Sequence, residues 1–297
     1  MDPALAPAPA SADAHALDDA PVAGRRAVFL DVDGTYADRG VVPPGHVRAV
    51  RAARAAGHRV LLCTGRPKAM LPPHIVEAGF DGIVASAGGY VEVDGQVLVD
   101  LRFPVDLGAR LVAELDRHDA AYLLEAPDAL YGRPGVDRRL GELLAGHLRT
   151  PEEQGDRARS DMFRMLRMSD DLSQASFAKV TYFGSRAPWP VIQDAVGDAI
   201  SILPSSISSM GDLAGEISMA GVHKARGIEA VCAHLGLGRE DVVAFGDGLN
   251  DLEMLAYAGT GVAIAGADAR VLAVADRVAA GPESEGLAAA FVELALV

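Results

Sequence analysis

AVFLDVDGT, residues 27–35, is the stretch on which the fold turns. Ala27 to Leu30 is a continuous apolar run, too short for a helix and lacking the alternation of a half-exposed strand, so it reads as a strand buried on both faces. It stops at Asp31, and Asp33 follows two residues later, just before Gly34. Residues i and i+2 of an extended chain point the same way, so two carboxylates are presented together at the end of a buried strand. Asp-Gly is also an ordinary turn, and the meaning of the stretch therefore depends on its surroundings.

Short apolar runs of the same kind recur at Val60–Cys63, Ile83–Ala85, Val242–Phe245 and Val262–Ile264. Between the first two runs lies GHVRAVRAARAAG, residues 45–57, with Val47, Val50 and Ala53 on one side, Arg48, Arg51 and Arg54 on another, and Gly57 as a stop. Strand, helix, strand in this rhythm predicts a parallel sheet with helices on both faces. In such sheets ligands bind beyond the carboxyl ends of the strands.

From 89 to 215 the texture changes. YVEVDGQVLVDL alternates around Asp94-Gly95, which is a hairpin signal. AKVTYFGS and AISILPSSI read as further strands, separated by a helical segment after Pro190, while 150–173 is charged and without a clear period. The expectation is an α/β fold: a Rossmann-like parallel-sheet core over 25–88 and 216–297, with an α/β cap inserted over 89–215. Residues 1–24 are Ala, Pro and Asp with little to bury and are expected to form a disordered tail, not a secretory signal.

With 50% hydrophobic residues among 297, two domains can each bury a core, yet no apolar run approaches the roughly 20 residues of a membrane helix. The net charge of −14 excludes a nucleic-acid partner of the usual basic kind. Cys63 and Cys232, far apart in apolar surroundings, suit reduced thiols and hence a cytoplasmic setting.

Three further segments fall where strands of the core end or return, and each has an ordinary explanation when taken alone. Thr64-Gly65-Arg66 follows VLLC and offers a hydroxyl and an approachable backbone to a phosphate oxygen, though such a tripeptide is often only a loop. Lys224 opens a helical stretch, where a cation opposes the helix dipole and invites an anion; its bland reading is a solvated surface lysine. Gly246-Asp247-Gly248-Leu249-Asn250-Asp251 follows VVAF and carries more acid than a helix cap requires. Together with Asp31 and Asp33 they supply hard oxygen ligands, a hydroxyl donor and a cation, which is what a Mg2+-bound phosphoryl group needs.

In this order the segments DVDGT, TGR, Lys224 and GDGLND resemble the motifs of the haloacid dehalogenase superfamily, and an insertion between the second and third is similar to its Cof-like branch with a large α/β cap. The resemblance implies a phosphatase of small phosphorylated metabolites. Asp31 would be the nucleophile and Asp33 the general acid and base. Thr64, Gly65, Lys224 and Asn250 would hold the phosphoryl group. Asp31, Asp33 through its backbone carbonyl, Asp247 and Asp251 would serve the Mg2+ site. A phosphomutase, or a phosphometabolite sensor that has lost catalysis, are the alternatives, although a sensor should lack at least one of Asp31, Asp33, Lys224 and Asp247, all of which are present. Tyr36, where the family commonly has Leu, and SAGG at 86–89, in place of an Asn-Gly-Ala, depart from the pattern. His46, His58, His118, His147 and His234 are expected to be solvated, His223 could approach the site, and Arg66 is either a phosphate neighbour or a surface ion pair. Tyr131, Arg133, Tyr182 and Trp189 are candidate cap contacts whose plainer reading is core.

Overall fold

The computed structural model describes residues 24–145, 164–205 and 208–297. In chain order the first part runs β1 (Ala27–Leu30), α1 (Pro44–Ala55), β2 (Arg59–Cys63), α2 (Pro73–Val76), β3 (Gly82–Ala85), β4 (Tyr90–Val93) and β5 (Gln96–Asp100). Next come α3 (Val105–Arg117), β6 (Ala121–Glu125), β7 (Leu130–Gly132), α4 (Val136–Ala145), β8 (Leu166–Met168), β9 (Lys179–Phe183), α5 (Trp189–Val196), β10 (Ile200–Pro204) and β11 (Gly215–Met219). The chain returns through α6 (Lys224–Leu235), β12 (Val242–Gly246), α7 (Leu252–Tyr257), β13 (Thr260–Ile264), α8 (Ala269–Val274), β14 (Arg277–Ala279) and α9 (Gly286–Glu293).

Eight strands form the first sheet in the order β14-β13-β12-β1-β2-β3-β4-β5, parallel from β14 to β3. Side chains of β1 alternate between two helical layers. Val28 and Leu30 pack with Val50 of α1 and Phe291 of α9, whereas Ala27 and Phe29 pack with Ile228 of α6 and Met254 of α7. Burial on both faces is why these strands lack a polar alternation in sequence. The chain leaves β1 toward β2 on one side and returns through β12 on the other, so the ends of β1 and β12 mark the switch point where a ligand crevice forms.

The second sheet has the order β10-β11-β9-β6-β7-β8. One face packs Tyr122, Leu124, Val180 and Tyr182 against Leu111 and Leu115 of α3 and Ile192 of α5. The other face carries Leu123, Glu125, Lys179, Thr181 and Phe183 and looks onto the carboxyl ends of the first sheet.

The junctions differ from those expected at 89 and 215. The hairpin of β4 and β5 extends the first sheet, because a tight turn at 86–89 returns the chain antiparallel onto β3, with Ala85 opposite Tyr90. Conversely β11 pairs with β9 and β10, so the second sheet runs on to Met219 and the core resumes with α6. The expected disordered tail lies, up to residue 23, outside the described residues, as does most of the charged stretch over 150–173 and His147. No helix of the described residues is long and apolar enough to cross a membrane. His46 is not solvated: it is fully buried, with Nδ1–H donating to the Tyr36 carbonyl at 2.9 Å and Nε2 accepting from Leu287 N–H at 3.3 Å. Tyr36 is buried beside it and makes an edge contact with Phe80. His58 is half-buried and accepts from Arg26 N–H at 3.1 Å, His118 pairs with Glu114 at 2.8 Å, and His234 is exposed.

Candidate active site

Asp31 is the first residue beyond β1, and its N–H extends the strand ladder by donating to Phe245 O of β12 at 3.0 Å. The chain then folds back, with Tyr36 N–H donating to Asp31 O at 3.1 Å and Ala37 N–H to Val32 O at 2.8 Å. Gly34 makes this return possible at φ +90°, and a Cβ there would run into the Asp247 carboxylate. Thr35 Oγ1 donates to Asp247 Oδ1 at 2.7 Å, which joins the loop after β1 to the loop after β12.

Lys224 opens α6 and is fully buried. Its Nζ donates to Asp31 Oδ1 at 2.5 Å and also to Asp251 Oδ1. The second Asp251 oxygen accepts from the N–H groups of Asp247 at 3.0 Å and Gly248 at 2.8 Å. Asp251 therefore fixes both the lysine and the loop that carries Asp247. Three carboxylates meet one ammonium here. Burial, with Asp251 and Asp247 adding to it against Lys224, pushes the Asp31 carboxyl well above its usual range. Burial likewise raises Asp247 to about 6. Burial also works to lower the Lys224 ammonium, but Asp251 and Asp31 outweigh it and hold the charge in place. Oxygen atoms of Asp31, Asp247 and Asp251 lie within 4.8 Å of one another, a hard-oxygen set short of positive charge, and that chemistry fits Mg2+.

Thr64, nearly inaccessible at the end of β2, donates its N–H to Val84 O at 2.8 Å and accepts Arg66 N–H on Oγ1 at 3.1 Å. The Arg66 guanidinium holds the Asp33 carboxylate in a bidentate pair, so that side chain does not join the other three acids. A Cβ at Gly65 would come within 3.2 Å of Asn250 Nδ2, 3.6 Å of Glu216 and 3.8 Å of Lys179 Nζ, so at this point the second sheet reaches the core.

A cavity of about 390 Å³ lies between the two sheets. Asp31, Asp33, Thr64, Gly65, Asp247 and Asn250 line it, and Lys224 and Asp251 lie buried beside it. Sequence reasoning missed Glu125, Lys179, Thr181 and Glu216, which line it from the second sheet. For Lys179 and Thr181 the signal was alternation in KVTYF, which puts them with Phe183 on one face. Of the candidate cap contacts, Tyr182 is core, Trp189 packs against the same core, and Arg133 pairs with Asp116 beside Tyr122, away from this cavity. His223 caps α6, and its Nδ1 is buried with no partner.

The sequence model of the haloacid dehalogenase-like hydrolases matches residues 28–291. The chain belongs to this family. It is a hydrolase with the α/β core and inserted cap that the motifs implied. It is 26% identical over 277 residues to the putative phosphatase YkrA of Bacillus subtilis, covering 91% of this chain and 98% of that protein. It is 26% identical over 257 residues to the pyridoxal phosphate phosphatase YbhA of Escherichia coli, covering 85% and 92%. Two longer relatives are spanned over only 46% and 54% of their lengths. The solved structure of the subclass IIB sugar phosphatase BT4131 superimposes with a TM-score of 0.74 at 21% identity, over 92% of this chain and all of that one, and shares the fold.

Proposed function

We propose that this hydrolase is a Mg2+-dependent phosphatase that cleaves small organic phosphomonoesters, a sugar phosphate or phosphorylated cofactor, through an aspartyl-phosphate on Asp31. The observation that carries the reading is the Asp31 carboxylate itself. It lines the cavity at the end of β1 with one oxygen held by buried Lys224, which leaves the other to serve as nucleophile. The names of the relatives, a putative phosphatase and a pyridoxal phosphate phosphatase, support the same chemistry.

In the first step an Asp31 oxygen attacks phosphorus and the bond to the leaving oxygen breaks, with the proton of Asp33 going to that oxygen. In the second step Asp33 takes a proton from water, the water oxygen attacks phosphorus, and the bond to Asp31 breaks to return the free carboxylate and inorganic phosphate. Lys224 stays charged throughout and offsets negative charge at the attacking carboxylate. Thr64 and Asn250 orient the phosphoryl oxygens from the two flanking loops. Asp31, Asp247 and the backbone carbonyl of Asp33 would hold Mg2+, with Asp251 behind them, and the ion supplies charge neutralisation for the transferring group. Two free, buried cysteines suit a reducing, cytoplasmic setting.

The test is phosphate release from a panel of phosphomonoesters, with and without Mg2+, for the native protein and Asp31→Asn. Mg2+-dependent release that the substitution abolishes is expected. Binding without release by folded native protein overturns the reading, and an isomeric ester in place of inorganic phosphate would mark a mutase.

A further inference from the structure

The cavity has a second charged centre that the chemistry above does not use. Glu125 of β6 and Lys179 of β9 stand directly opposite one another in the second sheet, and Glu216 of β11 lies opposite Thr181, on the same face. Lys179 Nζ donates to Glu216 Oε2 at 2.8 Å and lies 3.3 Å from Glu125 Oε2, while Thr181 Oγ1 donates to Glu125 Oε1. Glu125 and Lys179 are each only 3% exposed. Burying charge this deeply is costly, because each ion loses its hydration and must be compensated by its neighbours. Here two carboxylates share one ammonium, and Glu125 Oε2, buried in the cavity wall, accepts no hydrogen bond. Leu123 and Phe183 flank the cluster, so the wall is apolar except at these groups.

We propose that Glu125, Lys179 and Glu216 form the leaving-group subsite of the phosphatase and select esters whose leaving group is rich in hydrogen-bond donors and carries no second anionic group. The inference rests on the phosphatase reading and adds its specificity. Glu216 offers a carboxylate oxygen at the cavity edge, Lys179 a remaining N–H, and Thr181 the lone pairs of its hydroxyl, while Glu125, sealed behind Lys179, supplies charge. That series of acceptor, donor and acceptor suits neighbouring hydroxyls, each of which both donates and accepts. The cluster carries one net negative charge, so a carboxylate or second phosphate on the leaving group meets like charge even though an ammonium is present.

The test compares kcat/KM within pairs that differ by one anionic group: β-glycerophosphate against phosphoglycerate, and fructose monophosphate against fructose bisphosphate. Native protein is expected to favour the member with the uncharged leaving group by roughly tenfold or more in each pair, as like-charge juxtaposition in a closed site demands. Glu216→Gln, at the half-exposed edge of the cluster, should shrink that ratio through KM, and Glu125→Gln should shrink it further. Equal or reversed preference in native protein, or a ratio that Glu216→Gln leaves in place, overturns the subsite. p-Nitrophenyl phosphate keeps the two readings apart. If native protein hydrolyses it without discriminating within the pairs, the subsite alone fails. If no ester is hydrolysed, the phosphatase reading fails first.

Discussion

Arg66 grips Asp33 with two hydrogen bonds, Nε to Oδ2 at 2.6 Å and Nη2 to Oδ1 at 2.5 Å, across the mouth of the cavity. A fork of this kind fixes the direction of a carboxylate as well as its charge. On the proposed mechanism the pair must loosen for Asp33 to pass a proton to a leaving oxygen and to take one from water.

If Asp33 carries the proton as proposed, removing it should separate the two half-reactions. Asp33→Asn is expected to slow hydrolysis of an alkyl phosphate by about 10²–10⁴-fold, the usual worth of a positioned acid or base. With p-nitrophenyl phosphate, whose leaving group needs little protonation, the first step should survive while the second stalls. Rapid mixing should then show a burst of nitrophenolate close to one equivalent of enzyme. A linear time course with no burst would deny Asp33 its part in the second step.

Lys224 is buried against two carboxylates, so losing it leaves uncompensated charge in the core. Lys224→Met is expected to cost about 3–5 kcal/mol of unfolding free energy, read from urea titrations in the presence of a chelator. A loss below about 1 kcal/mol would mean that the acids protonate freely instead.

Crowding of Asp31, Asp247 and Asp251 around one ammonium should make a divalent cation a stabilising partner. At a concentration about 100 times its Kd, Mg2+ should add about 2.7 kcal/mol to native stability. Asp31→Asn relieves part of the repulsion, so its thermal midpoint in chelator should exceed that of native protein, and its gain from Mg2+ should be smaller. The reverse order of midpoints would contradict the charge balance described here.

His46 gives stability a pH dependence of its own. Burial lowers its pKa below 6.5, outweighing the Tyr36 carbonyl, which accepts from Nδ1–H, and Glu285, both of which favour the charged ring. Above 6.5 both folded and unfolded chains keep it neutral, and its contribution is complete. Below that pH the unfolded chain takes up the proton first, so stability should fall by up to about 1.4 kcal/mol per pH unit until the folded ring also titrates. Against native protein, His46→Gln should remove this contribution from urea titrations between neutral and mildly acidic pH; His58, which burial also lowers, adds a slope of the same sign, and Asp247, raised to about 6, one of the opposite sign.

The core was legible because its strands are buried on both faces and end in polar residues, a pattern that survives in one dimension at Leu30-Asp31, Cys63-Thr64 and Phe245-Gly246-Asp247. The hairpin at Asp94-Gly95 was equally visible, but its sheet was not. Which strand it joins depends on the turn at 86–89, where Ser86 and Ala87, neither of them Gly, adopt positive φ ahead of Gly88. His46 read as a surface residue because its helix face is decided by α9, which lies at the far end of the chain. Glu125, Lys179 and Glu216 escaped for a related reason. Charged residues in a strand usually mark its solvent face, and only the docking of one sheet over the other makes that face an interior.

Leu30 pairs with Phe245, although the whole second sheet is translated between them. During synthesis β1 therefore emerges long before its neighbour β12, and one edge of the central strand stays open while the cap is being made. Local pairings close early and distant ones late, so the cap can assemble ahead of the core that frames it. Until the segment containing Lys224 and Asp247 arrives, Asp31 has neither its cation nor its partner acid, so the proposed chemistry waits for the chain to return to the core.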